Sequence, residues 1–135
     1  MRMIVFTLAL LATLSSSAFA HHSFGRYNMA ETSEIEGVVN KFEWSNPHSW
    51  LFVDVTAADK TVVTYGFELQ SVGELLRRGW TKTIVKPGEK LKVKFRPLRD
   101  GAPAGLLVSA ERDGKPIGNP FGPPPEAAPK EQPAG

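Results

Sequence analysis

Three histidines carry most of the chemistry that this sequence offers: His21, His22 and His48. An Ala-x-Ala motif ends at Ala20, directly before the histidine pair, and predicts cleavage there. A chain that begins with His21 presents its α-amine and its own imidazole as a chelating pair. A second imidazole completes a three-nitrogen histidine brace, whose ligands suit Cu(II) and are also used by zinc. We therefore expect a copper site, with His48 preferred to His22, and Asp100 or solvent in a weaker position.

A structural interpretation of the same histidines stays open. In it, His21 and His22 belong to an unstructured arm, His48 caps a turn beside Asn46, and no metal binds. A second functional class is a binding module without metal, which recognises a protein or a small polar ligand at the end of the fold. Its expected ligand-binding residues are Trp44, Asn46, Trp50, Arg77 and Arg99. The processed N-terminus separates the two classes, because only the brace requires His21 to be the first residue.

Catalytic motifs of other kinds are missing from the sequence. There is no cysteine, which excludes disulfides, thiolate zinc sites and thiol catalysis. No serine lies in a Gly-x-Ser-x-Gly context, and no glycine-rich phosphate loop opens a helix. The carboxylates on predicted strands are expected to face solvent rather than to form an acid–base pair: Glu34, Glu36, Glu43, Asp54 and Glu68. We predict that the protein is not an enzyme.

The charge balance argues against nucleic acid as a partner. The chain has 16 Lys and Arg against 14 Asp and Glu, a net charge of +2. Lys90, Lys92 and Lys94 alternate along one predicted strand, which is typical of a solvated face that guards against edge pairing. Such a small excess gives no electrostatic footprint for a phosphate backbone. The expected partners are instead a metal ion, a periplasmic protein or a small ligand.

The two ends of the chain differ from its centre in composition. Residues 1–20 combine an early arginine, a short apolar run and the cleavage motif, which predicts a signal peptide and a periplasmic or secreted protein. No later stretch is apolar enough to span a membrane. Residues 116–135 contain seven of the 11 prolines and predict a disordered tail. This leaves an arm at 21–31 and one domain at 32–115.

The hydrophobic residues of that domain recur with the period of β-strands, except in one segment that has the period of a helix. Residues 34–44, 50–55, 61–69, 90–96 and 106–111 have strand patterns. Ser71 and Glu74 form a capping-box pattern that begins a helix of about two turns, and Gly79 suits its end. The phase of the first strand slips near Gly37, which predicts a bulge or bend. The order β-β-β-α-β-β predicts a mainly β fold, an OB-like five-stranded barrel with one short helix.

The same patterns predict which side chains form the core. They are Val39, Phe42, Leu51, Val53, Val62, Phe67, Leu75, Leu76, Leu91, Val93, Phe95, Leu107 and the apolar neighbours of Ser109. Trp80 is expected to pack into the mouth of the barrel.

Four short motifs resemble one family. HHSF at 21–24, WSNPHSW at 44–50, RRGW at 77–80 and PLRDG at 97–101 are similar to the hallmarks of a DUF6152-like family of small exported bacterial proteins. The resemblance covers about residues 20–110. It implies export and one small folded unit, and it implies no activity because the function of that family is unknown.

Overall fold

A computed structural model describes residues 24–118 of the chain. A 3-10 turn at Phe24–Arg26 comes first. The elements that follow are β1 (Ser33–Glu43), β2 (Trp50–Thr56), β3 (Val62–Glu68), α1 (Val72–Arg77), β4 (Lys90–Pro97), β5 (Ala104–Arg112) and β6 (Lys115–Pro116). The predicted β-β-β-α-β-β order is confirmed, and the two-residue β6 extends it. The predicted signal peptide, His21, His22 and residues 119–135 of the predicted tail lie outside the described residues.

The strands close into a mixed barrel. Antiparallel pairing joins them in the order β3-β2-β1-β4-β5, and β6 pairs with the end of β5. A short parallel pairing of β3 with β5, from Gly66 opposite Ala104 to Glu68 opposite Leu106, closes the ring. This topology confirms the predicted OB-like five-stranded barrel.

A bulge in β1 lets one strand contribute to two parts of the barrel. The register with β2 shifts between Val39 and Lys41, so the extra residue is Asn40, three residues after the predicted bend. Val39 faces the core before the shift and Phe42 packs against it afterwards. Gly37 is required nearby because a Cβ there would lie 2.5 Å from the carbonyl oxygen of Asp54.

Helix α1 begins and ends as the sequence predicts. The Ser71 hydroxyl accepts the backbone N–H of Glu74, and Gly79 follows the helix with a φ of 80°. The Glu74 carboxylate does not return to the cap. It accepts hydrogen bonds from Arg77 and from Arg78, and these two guanidinium groups lower its pKa.

The core fills the barrel interior and extends beneath α1. Among the predicted members, Val62 and Leu76 are exceptions, with 58% and 55% of their surfaces exposed. Val62 begins β3 at the protruding hairpin, beyond the closed part of the barrel. Leu76 lies on the outer side of a helix of six residues, which buries Leu75 alone.

The packed chain reaches slightly beyond residues 32–115 at both ends. Tyr27 before β1 is 1% exposed, and Ile117 after β6 is 5% exposed. Gly118 lies directly against the buried ring of Trp80, where a Cβ would be 2.2 Å from the indole nitrogen. Within residues 24–118, no helix has the length and apolar character that a membrane crossing needs.

Candidate functional site at the end of the barrel

The segment before β1 is fixed to the loop after β4. Tyr27 forms a β-bridge with Leu98, and the Arg99 backbone N–H donates to the carbonyl of Arg26 at 3.0 Å. The Arg99 guanidinium also donates to the carbonyl of Gly25 at 3.1 Å. The N-terminal chain therefore lies on the barrel as far back as its first described residues.

Tyr27 reaches from this segment to a buried carboxylate. Its hydroxyl donates to Oε2 of Glu68, which is 6% exposed. Burial raises the pKa of the Tyr27 phenol well above its usual value, and the hydrogen bond to Glu68 raises it further. The Tyr27 hydroxyl therefore keeps its proton and donates this hydrogen bond at all physiological pH values.

The prediction that Glu68 faces solvent is wrong. Strand alternation does place Glu68 on the outer face of β3, because it lies opposite Trp50 while its neighbour Phe67 is fully buried. Tyr27 then covers that outer face. Pairing along the strands predicts the direction of the side chain but not the segment that packs on it.

His48 lies beside the same carboxylate. Its Nδ1 lies 3.0 Å from the carbonyl oxygen of Leu69 and 3.2 Å from Oε1 of Glu68. A carbonyl oxygen only accepts, so Nδ1 carries a proton, and the neutral form of the imidazole has its lone pair on Nε2. The side chain is 40% exposed. His48 therefore offers an oriented and accessible nitrogen ligand.

The loop that carries His48 is held at several points. The Asn46–Pro47 peptide is cis, and the Ser45 hydroxyl donates to the His48 carbonyl at 2.9 Å. The Asn46 side-chain oxygen accepts the backbone N–H of Val72 at 2.9 Å, at the start of α1. Asn46, a predicted ligand-binding residue, thus joins the loop to the helix.

Two other predicted site residues are engaged in local contacts. Arg77 forms an ion pair with Glu74 on α1. The exposed Asp100 uses Oδ1 to accept the backbone N–H of Ala102 at 3.0 Å, which shapes its own loop. Arg99 holds the N-terminal segment, as described above.

The predicted aromatic residues divide between two places. Trp44 packs edge-on against Phe42, with ring centroids 5.7 Å apart, beside the core. Trp50 lies on the outer face of β2, where its ring stacks with Phe52 at 6.3 Å. Trp50 is also the cross-strand partner of Glu68, and His48 lies beside that carboxylate.

The described residues do not form a complete metal site by themselves. No group of three or more His, Cys, Asp or Glu within residues 24–118 has an arrangement that could hold a metal ion. His48 is the single histidine of this range, so a brace would need ligands from His21 or His22, which lie outside it.

Comparison of the sequence with models of known protein families gives one match. The model of a family of unknown function, DUF6152, matches residues 9–109, most of the chain. The chain belongs to the DUF6152 family. The matched region contains every element of the barrel up to most of β5, together with the Tyr27–Glu68–His48 contacts. No curated protein and no solved structure matches this DUF6152 protein.

Proposed function

We propose that this DUF6152 protein is an exported accessory protein that binds one Cu(II) ion. Its ligands are the α-amine and imidazole of His21 and Nε2 of His48. The observation that carries the proposal is the orientation of His48, whose Nδ1–H donates to the Leu69 carbonyl and lies beside the Glu68 carboxylate. Histidine ligands of metals characteristically donate their other N–H to a carbonyl or carboxylate.

The chemistry of this donor set fits copper. Imidazole and amine nitrogens are preferred by Cu(II), which has the highest affinity among the common divalent metals. The Leu69 carbonyl and the Glu68 carboxylate beside Nδ1 hold the ring in one orientation, as the outer partners of metal-bound histidines do. When bound, the metal would supply a Lewis-acidic or redox-active centre.

The position of Tyr27 supports the participation of His21. Tyr27 and His48 meet at one carboxylate, and His21 lies six positions before Tyr27. Phe24–Arg26 form a turn that is held to Arg99, so three residues at most, 21–23, can extend, by up to about 10 Å. The brace requires the α-amine of a chain cleaved after Ala20 to reach His48 over that length.

Export is part of the same proposal. It rests on the Ala-x-Ala motif before His21, and it makes the protein periplasmic or secreted. The intact mass of the exported protein should equal that of residues 21–135. A mature protein that retains residues 1–20 has no α-amine at His21 and would contradict both export and the brace.

Copper titration by calorimetry on correctly processed protein tests the site. We expect one tight site at neutral pH, loss of tight binding when a glycine is added before His21, and at least tenfold weaker binding in His48→Ala. His22→Ala is the matched control and should bind as the wild type does. Equal affinity of wild type and His48→Ala would show that the loop histidine is structural.

A metal-free binding module is the second candidate, and the outward stack of Trp50 and Phe52 favours it. These rings present apolar surface on the outer face of β2, on which a small ligand would stack. Among the other residues expected in this role, Asn46, Arg77 and Arg99 are engaged within the chain. A protein that binds copper no better than a generic histidine peptide would favour this candidate.

A further inference from the structure

Trp80 carries a buried hydrogen-bond donor that lacks an acceptor within residues 24–118. Its side chain is fully buried, and its indole Nε1 has no hydrogen-bond partner in this range. A buried tryptophan normally donates its N–H, because an unpaired donor away from water costs free energy. We therefore expect the acceptor to come from outside the described residues.

The indole nitrogen lies beside the last described residue. A Cβ on Gly118 would be 2.2 Å from Nε1 and 2.4 Å from Cδ1 of Trp80, so the N–H edge of the ring adjoins the Gly118 backbone. The chain is held to the barrel up to this point, because the Ile117 N–H donates to the Ala110 carbonyl at 2.8 Å. The chain therefore continues toward Asn119 from a position next to the unpaired donor.

Two further aromatic rings extend from Trp80 toward the surface. The Phe42 ring centroid lies 5.9 Å from that of Trp80, and the Trp44 centroid lies 5.7 Å from that of Phe42. Phe42 and Trp44 are only partly buried. These three rings, the aromatic cluster, form the kind of surface on which proline-rich segments dock.

The sequence that follows Gly118 matches the aromatic cluster in chemistry and in reach. Residues 119–125 read NPFGPPP, with four prolines, one large apolar residue and no charge. Proline has no backbone N–H but keeps its carbonyl, so the segment is rich in acceptors. Phe121 comes three residues after Gly118, a span of up to about 10 Å, which is enough to reach Phe42 or Trp44.

We propose that residues 119–122 dock on the aromatic cluster of their own chain. A carbonyl of Asn119 accepts the Trp80 Nε1–H, and the Phe121 ring packs on Phe42 and Trp44. The covalent connection favours this segment over a separate partner, because it gives the segment a high effective concentration at the site. The docking requires no metal and is therefore independent of the proposed copper site.

Nuclear magnetic resonance on isotope-labelled residues 21–135, with a metal chelator present, tests the docking. We expect nuclear Overhauser effects from the Trp80 indole proton to Asn119 and from the Phe121 ring to Trp44. The Phe121 amide should be as ordered as those of β5, whereas residues 127–135 are the internal control and should be mobile.

Three outcomes of this experiment would overturn the proposal. Phe121 could be as mobile as residues 127–135, or the Trp80 indole proton could contact water instead of the segment. In a mixture of labelled and unlabelled chains, contacts between Phe121 and Trp44 of different chains would place the segment on a second copy.

Phe121→Ala tests whether the ring holds the segment in place. Loss of its packing should speed hydrogen exchange of the Trp80 indole N–H by about tenfold or more. Met29→Ala is the matched control, since it removes an apolar side chain that is 47% exposed, and it should leave the exchange rate unchanged. Circular dichroism establishes that both variants keep the β fold. Equal exchange rates in folded Phe121→Ala and wild type would contradict the docking.

Discussion

At the scale of single residues, the Glu68 carboxylate connects three parts of the chain. It accepts from Tyr27 before β1, lies beside His48 before β2, and is itself at the end of β3. A carboxylate that is 6% exposed needs such donors, because burial without them costs several kcal/mol. The contact therefore stabilises the fold and orients His48 at the same time.

Tyr27→Phe tests this connection. The change leaves the ring in place and removes one donor from a buried charge, so the free energy of unfolding at neutral pH should fall by about 1.5–3 kcal/mol. Urea denaturation measures it. Tyr65→Phe is the control, since Tyr65 is half-buried beside Phe67 and its hydroxyl donates no hydrogen bond within residues 24–118. A change within about 0.5 kcal/mol is expected there.

The pH dependence of the same pair gives an independent check. The pKa of Tyr27 is raised in the folded state, so its stabilising contribution is complete below the unfolded-state pKa of about 10 and is lost as the pH rises above it. Wild type should lose stability above that pH more steeply than Tyr27→Phe. Parallel curves for the two proteins would contradict a raised pKa of Tyr27 in the folded state.

At the scale of elements, the sequence predicts the structural features that depend on residues close together in the chain. The alternation of β4, the cap at Ser71 and the phase slip of β1 are local patterns, and each appears in the structure. The site depends on contacts between distant segments, which alternation cannot show. Glu68 is covered by Tyr27, 41 residues earlier, and no pattern in either strand or arm indicates that contact.

Gly105 provides a test of how closely β4 and β5 approach. A Cβ at Gly105 would lie 2.4 Å from the Phe95 ring and 2.5 Å from the Arg96 carbonyl oxygen, which belongs to the paired strand and cannot turn away. Gly105→Ala should therefore lower the free energy of unfolding by about 1–3 kcal/mol. Thermal and urea denaturation measure the change.

Gly73→Ala is the matched glycine control. Gly73 lies in α1, where the nearest atom to an added Cβ is the flexible Arg77 guanidinium at 3.9 Å. Replacing a helical glycine with alanine should stabilise the protein by roughly 0.5–1 kcal/mol. Equal effects of the two substitutions would contradict the close contact at Gly105.

At the scale of the whole molecule, the proposed copper site would join the N-terminal arm to the barrel. A brace of His21 and His48 exists only in the folded chain, because 27 positions separate the two residues. A chelate of His21 and His22 needs no fold and forms equally well in the unfolded chain. The two arrangements therefore differ in their effect on stability even where their affinities are similar.

Copper should consequently stabilise the folded protein only if His48 is a ligand. A ligand that binds the folded state alone contributes about 2.7 kcal/mol at a free concentration 100 times its dissociation constant, whereas binding to the unfolded chain cancels this gain. The unfolded chain still binds copper through its N-terminal arm, so the gain reflects the tenfold or greater difference in affinity, about 1.4 kcal/mol or more. We expect copper to raise the free energy of unfolding of processed wild type and His22→Ala by at least this amount, and to leave His48→Ala nearly unchanged. Urea denaturation at a fixed free copper concentration measures the three proteins. Copper binding without any stabilisation of wild type would place the metal on the arm alone and remove His48 from the site.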